Sequence, residues 1–250
     1  MESVITLTFG DCAENHVGMQ KIGTQLDHGL SEKDMFTIRR NLRDKYLVKS
    51  YLYRLNDLLS DDIDTDLAYI LIIPNGLNLL FDDTNLADNL YNQLINLEWD
   101  TKAKMRGKVV NKHARYNLCF GDTSQEADFE VGKGTIVNFQ DIPDLRNARS
   151  KLSVLFGPLA TNLAAEGSLY YDVDKCYIGY HGDSERKIVI AARLGADFKL
   201  KYQWYHRFKT VGEEFEVTLH HGDMYVMSDK AVGHDWKKSS LFTLRHSASS

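Results

Sequence analysis

Proline is scarce in this chain, with three residues in 250, too few for the long disordered linkers that a Pro-rich composition marks. Cysteine is as rare. Cys12, Cys119 and Cys176 are odd in number, far apart and without a CxxC pair. That excludes a disulfide framework and suits reduced thiols of an intracellular protein, cytoplasmic or nuclear. A basic excess is missing too, because 30 Lys+Arg against 35 Asp+Glu leave a formal charge of −5. Any contact with nucleic acid must come from a local patch or be weak. No apolar run approaches the length of a membrane span, so no membrane partner is expected. The opening MESVITLTFG lacks the basic stretch of a secretory signal.

What is present is ordinary for a globular protein: 43% hydrophobic and 26% charged residues. The length suits one large domain, or a domain with a small appendage. SVITLTF (Ser3–Phe9) is apolar and β-branched and reads as a strand that Gly10 stops. Ser31 caps an expected helix carrying Met35, Phe36, Ile38 and Leu42. YLYRLNDLL continues in helical style, and AYILIIPNG (Ala68–Gly76) reads as a buried strand. Residues 1–75 are therefore expected to form a small α/β N-terminal unit. A second helix starts at Asp83 or Thr84, with Leu86, Leu90, Leu94 and Ile95 on its apolar face. From Lys108 short aromatic and β-branched runs alternate with turns, interrupted by one helix from Ile142 to about Ala165. This pattern predicts an α+β chain whose residues 76–250 form a double-sheet barrel or jelly roll with flanking helices.

The tripeptide His-Gly-Asp occurs twice, at His181–Asp183 and at His221–Asp223. A non-haem Fe(II) site needs two His and one carboxylate on one face of the ion, leaving positions open for cosubstrate and O2. A His-x-Asp about a tight turn supplies two of the three, and the second His must come from a strand several strands later. His181 and Asp183 meet this with His234, in AVGHDWK. His221 and Asp223 have only His234 and His246 downstream, too close for intervening strands. That copy reads as a turn between EFEVTL and MYVMS.

The flanks of the first copy, YYDVDKCYIGYHGDSERK, carry Tyr171, Ile178, Gly179, His181 and Asp183 at the spacing of an iron-binding strand. In this the chain resembles the AlkB-like 2-oxoglutarate/Fe(II) dioxygenases. AARLGADFKL, LHHGDMYVMS and LFTLRHS resemble later strands of that family, and HARYNLCFGD resembles its aromatic-Gly-Asp segment near the substrate lid. The resemblance covers roughly Asn75 to the C-terminus. It implies a double-stranded β-helix oxygenase core holding one Fe(II) by His181, Asp183 and His234, with 2-oxoglutarate as cosubstrate and O2 as oxidant. It implies that Arg245 pairs with the distal carboxylate of 2-oxoglutarate, aided by Tyr171 and Ser247, and that Phe120 and Asp122 lie at the substrate. Three positions depart from the pattern. Leu169 stands where an Asn is frequent, a second Arg six residues past Arg245 would fall beyond Ser250, and Arg193 replaces a small Ser. If strand alternation holds, Arg193 points inward, where it can meet an anionic group of the substrate; the other reading is that it faces solvent or pairs with an acid.

The implied activity is hydroxylation or oxidative demethylation at a C–H bond. Two substrate classes stay open: a modified nucleobase in nucleic acid, and a small molecule, amino acid or protein side chain. A binding module with a vestigial site is a third reading, opposed by the full His/Asp/His/Arg set. The expected form is a monomer or weak homo-oligomer. TFGDCAENHVGMQ gathers Asp11, Glu14, Asn15 and His16, either as a polar site facing the oxygenase mouth or as a loop with solvated charges. WYHRF around His206 reads as a pocket wall or as a strand.

Overall fold

The computed structural model describes residues 2–250. The chain opens with β1 (Val4–Gly10) and a short pair, β2 (Cys12–Glu14) and β3 (Lys21–Gly23). Helix α1 (Glu32–Lys45) leads to β4 (Tyr51–Arg54) and β5 (Tyr69–Ile73). Helices α2 (Gly76–Phe81) and α3 (Leu86–Ile95) precede the hairpin β6 (Lys102–Met105) and β7 (Lys108–Asn111). Then come β8 (Tyr116–Gly121), β9 (Ile136–Asn138) and α4 (Pro143–Phe156). The remainder is β10 (Ala164–Tyr170), β11 (Ile178–His181), β12 (Val189–Gly195), β13 (Phe198–His206), β14 (Lys209–Leu219), β15 (Met224–Met227), α5 (Asp229–Val232) and β16 (Thr243–Ser249).

The fold is α+β and rich in sheet. Eight strands form one sheet in the order β4-β5-β15-β12-β1-β10-β8-β9, and four form a second in the order β11-β16-β13-β14. Alternation along each strand sorts the side chains. On β1, Ile5, Leu7 and Phe9 join a core with Met35, Ile38 and Leu42 of α1, Leu90 of α3 and Leu152 of α4. On β12, Val189 and Ala191 face the other way. They pack with Ile70 and Ile72 of β5 against Leu200, Tyr202 and Trp204 of β13 and Leu244 of β16. The helices therefore cover one face of the large sheet, and the small sheet covers the other.

Local chemistry explains the elements that were expected. Ser31 caps α1, its hydroxyl accepting from Asp34 N at 3.2 Å while Asp34 accepts from Ser31 N at 2.8 Å. Helix α4 ends at Phe156, earlier than expected, because Gly157 takes φ 96° and Pro158 follows. Tyr51–Arg54 is a strand rather than a helix, since it pairs in register with β5. The largest departure concerns residues 1–75, which are not a unit of their own. β1 is hydrogen-bonded to β10 on one side and β12 on the other, and β5 pairs with β15. Among the described residues, no helix is long and apolar enough to cross a membrane. Cys12, Cys119 and Cys176 are free and buried.

Leu7 is fully buried on β1. Its replacement by Ala is expected to lower unfolding free energy by about 2–5 kcal/mol. Urea denaturation should show one transition in both proteins, because β1 is shared by the whole sheet. A separate early transition for the N-terminal 75 residues would contradict this shared architecture.

Candidate metal centre

β11 and β16 are neighbours in the small sheet, and their register sets His181 opposite His246. The next strand across places Tyr202 opposite His246. Leu244, His246 and Ala248 are the buried face of β16, turned between the sheets. Asp183 follows β11 in a turn held by its own N–H donating to Val232 O at 3.0 Å. The intervening Gly182 is required by close packing. A Cβ there would lie 2.0 Å from Gly233 O. The second His-Gly-Asp uses its glycine differently, with Gly222 at φ 85° in the turn from β14 to β15. There Asp223 accepts from Asn75 N and His220 N, both at 2.8 Å, and His221 Nδ1 accepts from Gly195 N at 2.9 Å. That copy joins the two sheets and holds no cluster of ligands.

His181, Asp183 and His246 bring one ligand atom each to within 4.8 Å of one another. Asp183 Oδ1 lies 3.4 Å from His181 Nε2 and 3.6 Å from His246 Nε2. Two ligands each about 2.1 Å from an ion, at tetrahedral to right angles, would stand roughly 3.0–3.4 Å apart. The observed 3.4 and 3.6 Å stand at and just beyond the upper end of that range, so a shared divalent ion would draw the ligands slightly closer. His181 Nδ1–H donates to Gly179 O at 2.8 Å, which leaves the Nε2 lone pair free toward the carboxylate.

Electrostatics prepare Asp183 and His246. Burial alone would raise the Asp183 pKa, but Arg186 and His246 outweigh it and hold the carboxyl well below its usual range. Burial, and then the neighbouring His181, push the His246 pKa down. An anionic carboxylate and a neutral imidazole are the forms that bind metal. Arg186 Nε stands 3.6 Å from Asp183 Oδ2, the oxygen turned away from the imidazoles. The same guanidinium pairs with Glu166 at 2.5 Å and Glu185 at 2.6 Å.

The cluster lines a cavity between the sheets, partly open to solvent. Thr6 and Thr8 of β1, Ser168 and Tyr170 of β10, Arg193 of β12 and Tyr225 of β15 line its large-sheet side. In register, Ser168, Thr6 and Arg193 form one row across three strands. Arg193 is fully buried. One Nη donates to Thr6 Oγ1 at 2.7 Å, and Nε has no partner. The guanidinium lies over Phe198 at 5.3 Å, and among the described residues no carboxylate pairs with it. Glu14, Asn15, His16, Val17 and Arg115 line the cavity from the N-terminal loop and the start of β8. Asp11 is instead structural, accepting from the N–H groups of Leu26, Lys187 and Ile188.

Several expected site residues lie elsewhere. His234 follows α5, where helix and turn replace a strand, so it cannot reach the cluster. It faces Asp229, Nδ1 to Oδ1 3.8 Å, near the buried Lys230–Asp235 pair. The second imidazole is His246. Arg245, one residue before it, is turned to the outer face, stacked on Tyr205 at 4.0 Å and over Trp236 at 5.2 Å. Ser247 reaches the cavity edge. Tyr171 stacks on Tyr116 and donates to His113 O at 2.6 Å, whereas its neighbour Tyr170 lines the cavity. Phe120 is buried on the helix side of the sheet, and the exposed Asp122 pairs with Arg149 at 2.6 Å. Arg193 does line the cavity. His206 stacks on Phe242 away from it. One signal for His246 was available: if Arg245 and Ser247 share a face of the last strand, His246 must occupy the other.

Behind the mouth, Lys112 Nζ donates to Asn15 Oδ1 at 2.7 Å and Asn117 Oδ1 at 3.0 Å. Burial depresses its pKa to about 8. The unfolded chain then binds more protons than the folded one between pH 8 and the free-lysine value of 10.5. Stability contributed at this position should rise with pH through that window. Relative to Lys112→Met, the wild type should gain up to roughly 3 kcal/mol between pH 8 and 10.5. A flat difference between the two urea-unfolding profiles would contradict this. For the metal, His246→Ala should weaken Fe(II) or Zn(II) binding by well over the ten- to hundredfold seen on changing a supporting residue, roughly. His234→Ala should leave it unchanged. Metal analysis after dialysis checks both, and retention of the ion in His246→Ala would refute the ligand set.

No family model matches the chain. Over 248 residues it is 49% identical to Uncharacterized protein R156 of Acanthamoeba polyphaga mimivirus, an alignment covering 98% of this chain and 95% of that one. With similarity of that extent, the chain belongs to the same family as this mimivirus protein.

Proposed function

We propose that this protein is an Fe(II)- and 2-oxoglutarate-dependent dioxygenase built on a double-stranded β-helix. The observation that carries the reading is a two-His, one-carboxylate cluster sharing a cavity with a fully buried guanidinium that lacks a counter-charge. The fold reading rests on the path of the chain. From β10 to β16 it alternates between the sheets, apart from the β13–β14 hairpin. β1, lying between β10 and β12, takes the eighth place of a jelly roll. The roll is thus closed by the first strand of this sequence.

His181, Asp183 and His246 would hold the ferrous ion on one face. When bound, iron supplies oxidative chemistry with O2 and 2-oxoglutarate that side chains alone do not provide. The protein's own residues do the rest. Arg186 occupies Oδ2 of Asp183 and so directs Oδ1 toward the imidazoles. Arg193, steadied by Thr6, has an unpartnered Nε–H and a planar fork suited to a carboxylate. This moves the cosubstrate anchor from Arg245 to Arg193. Arg245 already has two aromatic faces and Trp236 O as partners. Ser168, Tyr170 and Tyr225 supply further hydroxyls to the same wall.

Arg193→Met is expected to weaken 2-oxoglutarate binding by roughly two to three orders of magnitude, as loss of a buried charge partner does. It should not lower the thermal midpoint of the ligand-free protein, since an uncompensated buried charge is removed. Arg245→Met should keep cosubstrate affinity. Calorimetry with 2-oxoglutarate in the presence of Mn(II), and succinate release with Fe(II), check these outcomes. Unchanged affinity in Arg193→Met, or absence of succinate from the wild type, would overturn the assignment.

A further inference from the structure

Charge is distributed unevenly along this acidic chain. Residues 101–115, TKAKMRGKVVNKHAR, contain six Lys and Arg and no Asp or Glu. They form the β6–β7 hairpin and the segment that returns toward β8. Residues 55–67, LNDLLSDDIDTDL, contain five Asp and no Lys or Arg, and they connect β4 to β5. Asp57, Asp61, Asp62, Asp64 and Asp66 are all exposed. β4 and β5 close one end of the eight-stranded order, and β8 and β9 close the other. Five strand spacings separate β5 from β8, roughly 24 Å across the sheet. That exceeds the screening length of about 8 Å at physiological salt, so the two regions do not neutralise each other within one chain.

The basic end protrudes. β6 and β7 pair as far as Met105 and Lys108. The two residues between them, Arg106 (φ 49°) and Gly107 (φ 79°), make a tight hairpin turn with positive φ at both positions. A Cβ on Gly107 would meet nothing within 4 Å, so the tip stands clear of the rest of the chain. Lys102, Arg106 and Lys108 are exposed, and among the described residues none of them makes an ion pair. The cations elsewhere that do pair include Arg149, Arg186, Lys201 and Lys230. The acidic end is recessed. Glu32, Asp66, Asp229 and Asp235 line a hollow at the start of α1 and along α5, together with Lys230. Asp235 is 7% exposed, and its Oδ2 accepts from Lys230 Nζ at 2.8 Å. Its Oδ1 is buried without a hydrogen-bond partner. Asp66 stands at the rim, 3.9 Å from the same ammonium. Four carboxylates thus share one Lys cation, and a buried acceptor lacks a donor. Leaving that acceptor unmatched costs free energy that an incoming N–H group would recover.

We propose that this chain docks on a second copy of itself, the β6–β7 hairpin of one copy lying on the acidic end of the other with Arg106 at the recess. The two surfaces differ, so a single contact leaves one hairpin and one recess free on the pair, open to a reciprocal contact or to further copies. Nothing in this depends on the dioxygenase reading. The test is sedimentation equilibrium of the full chain without metal, over a series of protein concentrations, at low salt and at about 0.5 M NaCl, where the screening length falls to roughly 4 Å. The weight-average mass should rise above that of the monomer with concentration at low salt and return to it at high salt. Arg106→Glu/Lys108→Glu and Asp64→Lys/Asp66→Lys should each weaken association at least about tenfold, since like charges then face each other. Circular dichroism should show both variants folded as the wild type is. An equimolar mixture of the two should associate again, because one keeps a native recess and the other a native hairpin. Arg146→Glu/Lys151→Glu, exposed on α4, changes the net charge as much as the hairpin variant does and should associate as the wild type does. The proposal is overturned if the wild type stays monomeric at low salt, if assembly survives high salt, if the α4 variant loses association equally, or if the mixture of folded variants stays monomeric.

Discussion

Six residues, Val4 to Phe9, are paired on both edges with strands that follow them by more than 150 positions. Everything else in the molecule depends on that double pairing. Without β1 the large sheet would split between β10 and β12, exposing two unpaired edges in the middle of the fold. Its outward side chains Ile5, Leu7 and Phe9 seat the helices, and its inward Thr6 and Thr8 line the cavity. A slip of one residue would exchange these sets, burying hydroxyls among leucines and turning aliphatic side chains toward Arg193. Structural stability and the polar wall of the site are thus specified by the same register.

Alternation has equally sharp consequences elsewhere. On β16, His246 turns toward His181 and Asp183 while Arg245 takes the other face. At the end of β10, Tyr170 lines the cavity and Tyr171 packs outside it. A reading that is off by one position retains the correct strand and assigns the wrong chemistry. The turn glycines act at a finer scale. Gly182 lets the segment after β11 press against Gly233, and this packing holds Asp183 beside both imidazoles.

Two buried arginines show how differently the same side chain can be used. Arg186 is surrounded by Asp183, Glu166 and Glu185, so its charge is compensated and it orients a carboxylate. Arg193 has a threonine hydroxyl and an aromatic face but, among the described residues, no anion. Burying a charge unpaired is costly, and a functional site is where such a cost is commonly retained. The basic hairpin is the surface counterpart, with cations left without partners in a chain that has acids to spare.

The amino-acid sequence by itself determined the α+β class, the capped helix after Ser31, most strands of the second half, and His181–Gly182–Asp183 as the copy of a repeated tripeptide that joins a second imidazole. These are legible because caps, turn residues and alternation act over a few neighbouring positions. Only the tertiary structure decided that β1 belongs in the centre of the large sheet, so that residues 1–75 are no separate unit. It also decided that His246 rather than His234 meets Asp183, and that Arg193 rather than Arg245 faces the cavity. Strand pairing between distant segments leaves no local mark. An α5 helix where a strand was expected shifted the assignment by one element. The physical reason is that propensity and periodicity state which face a residue shares with its neighbours, but not which other strand that face will meet.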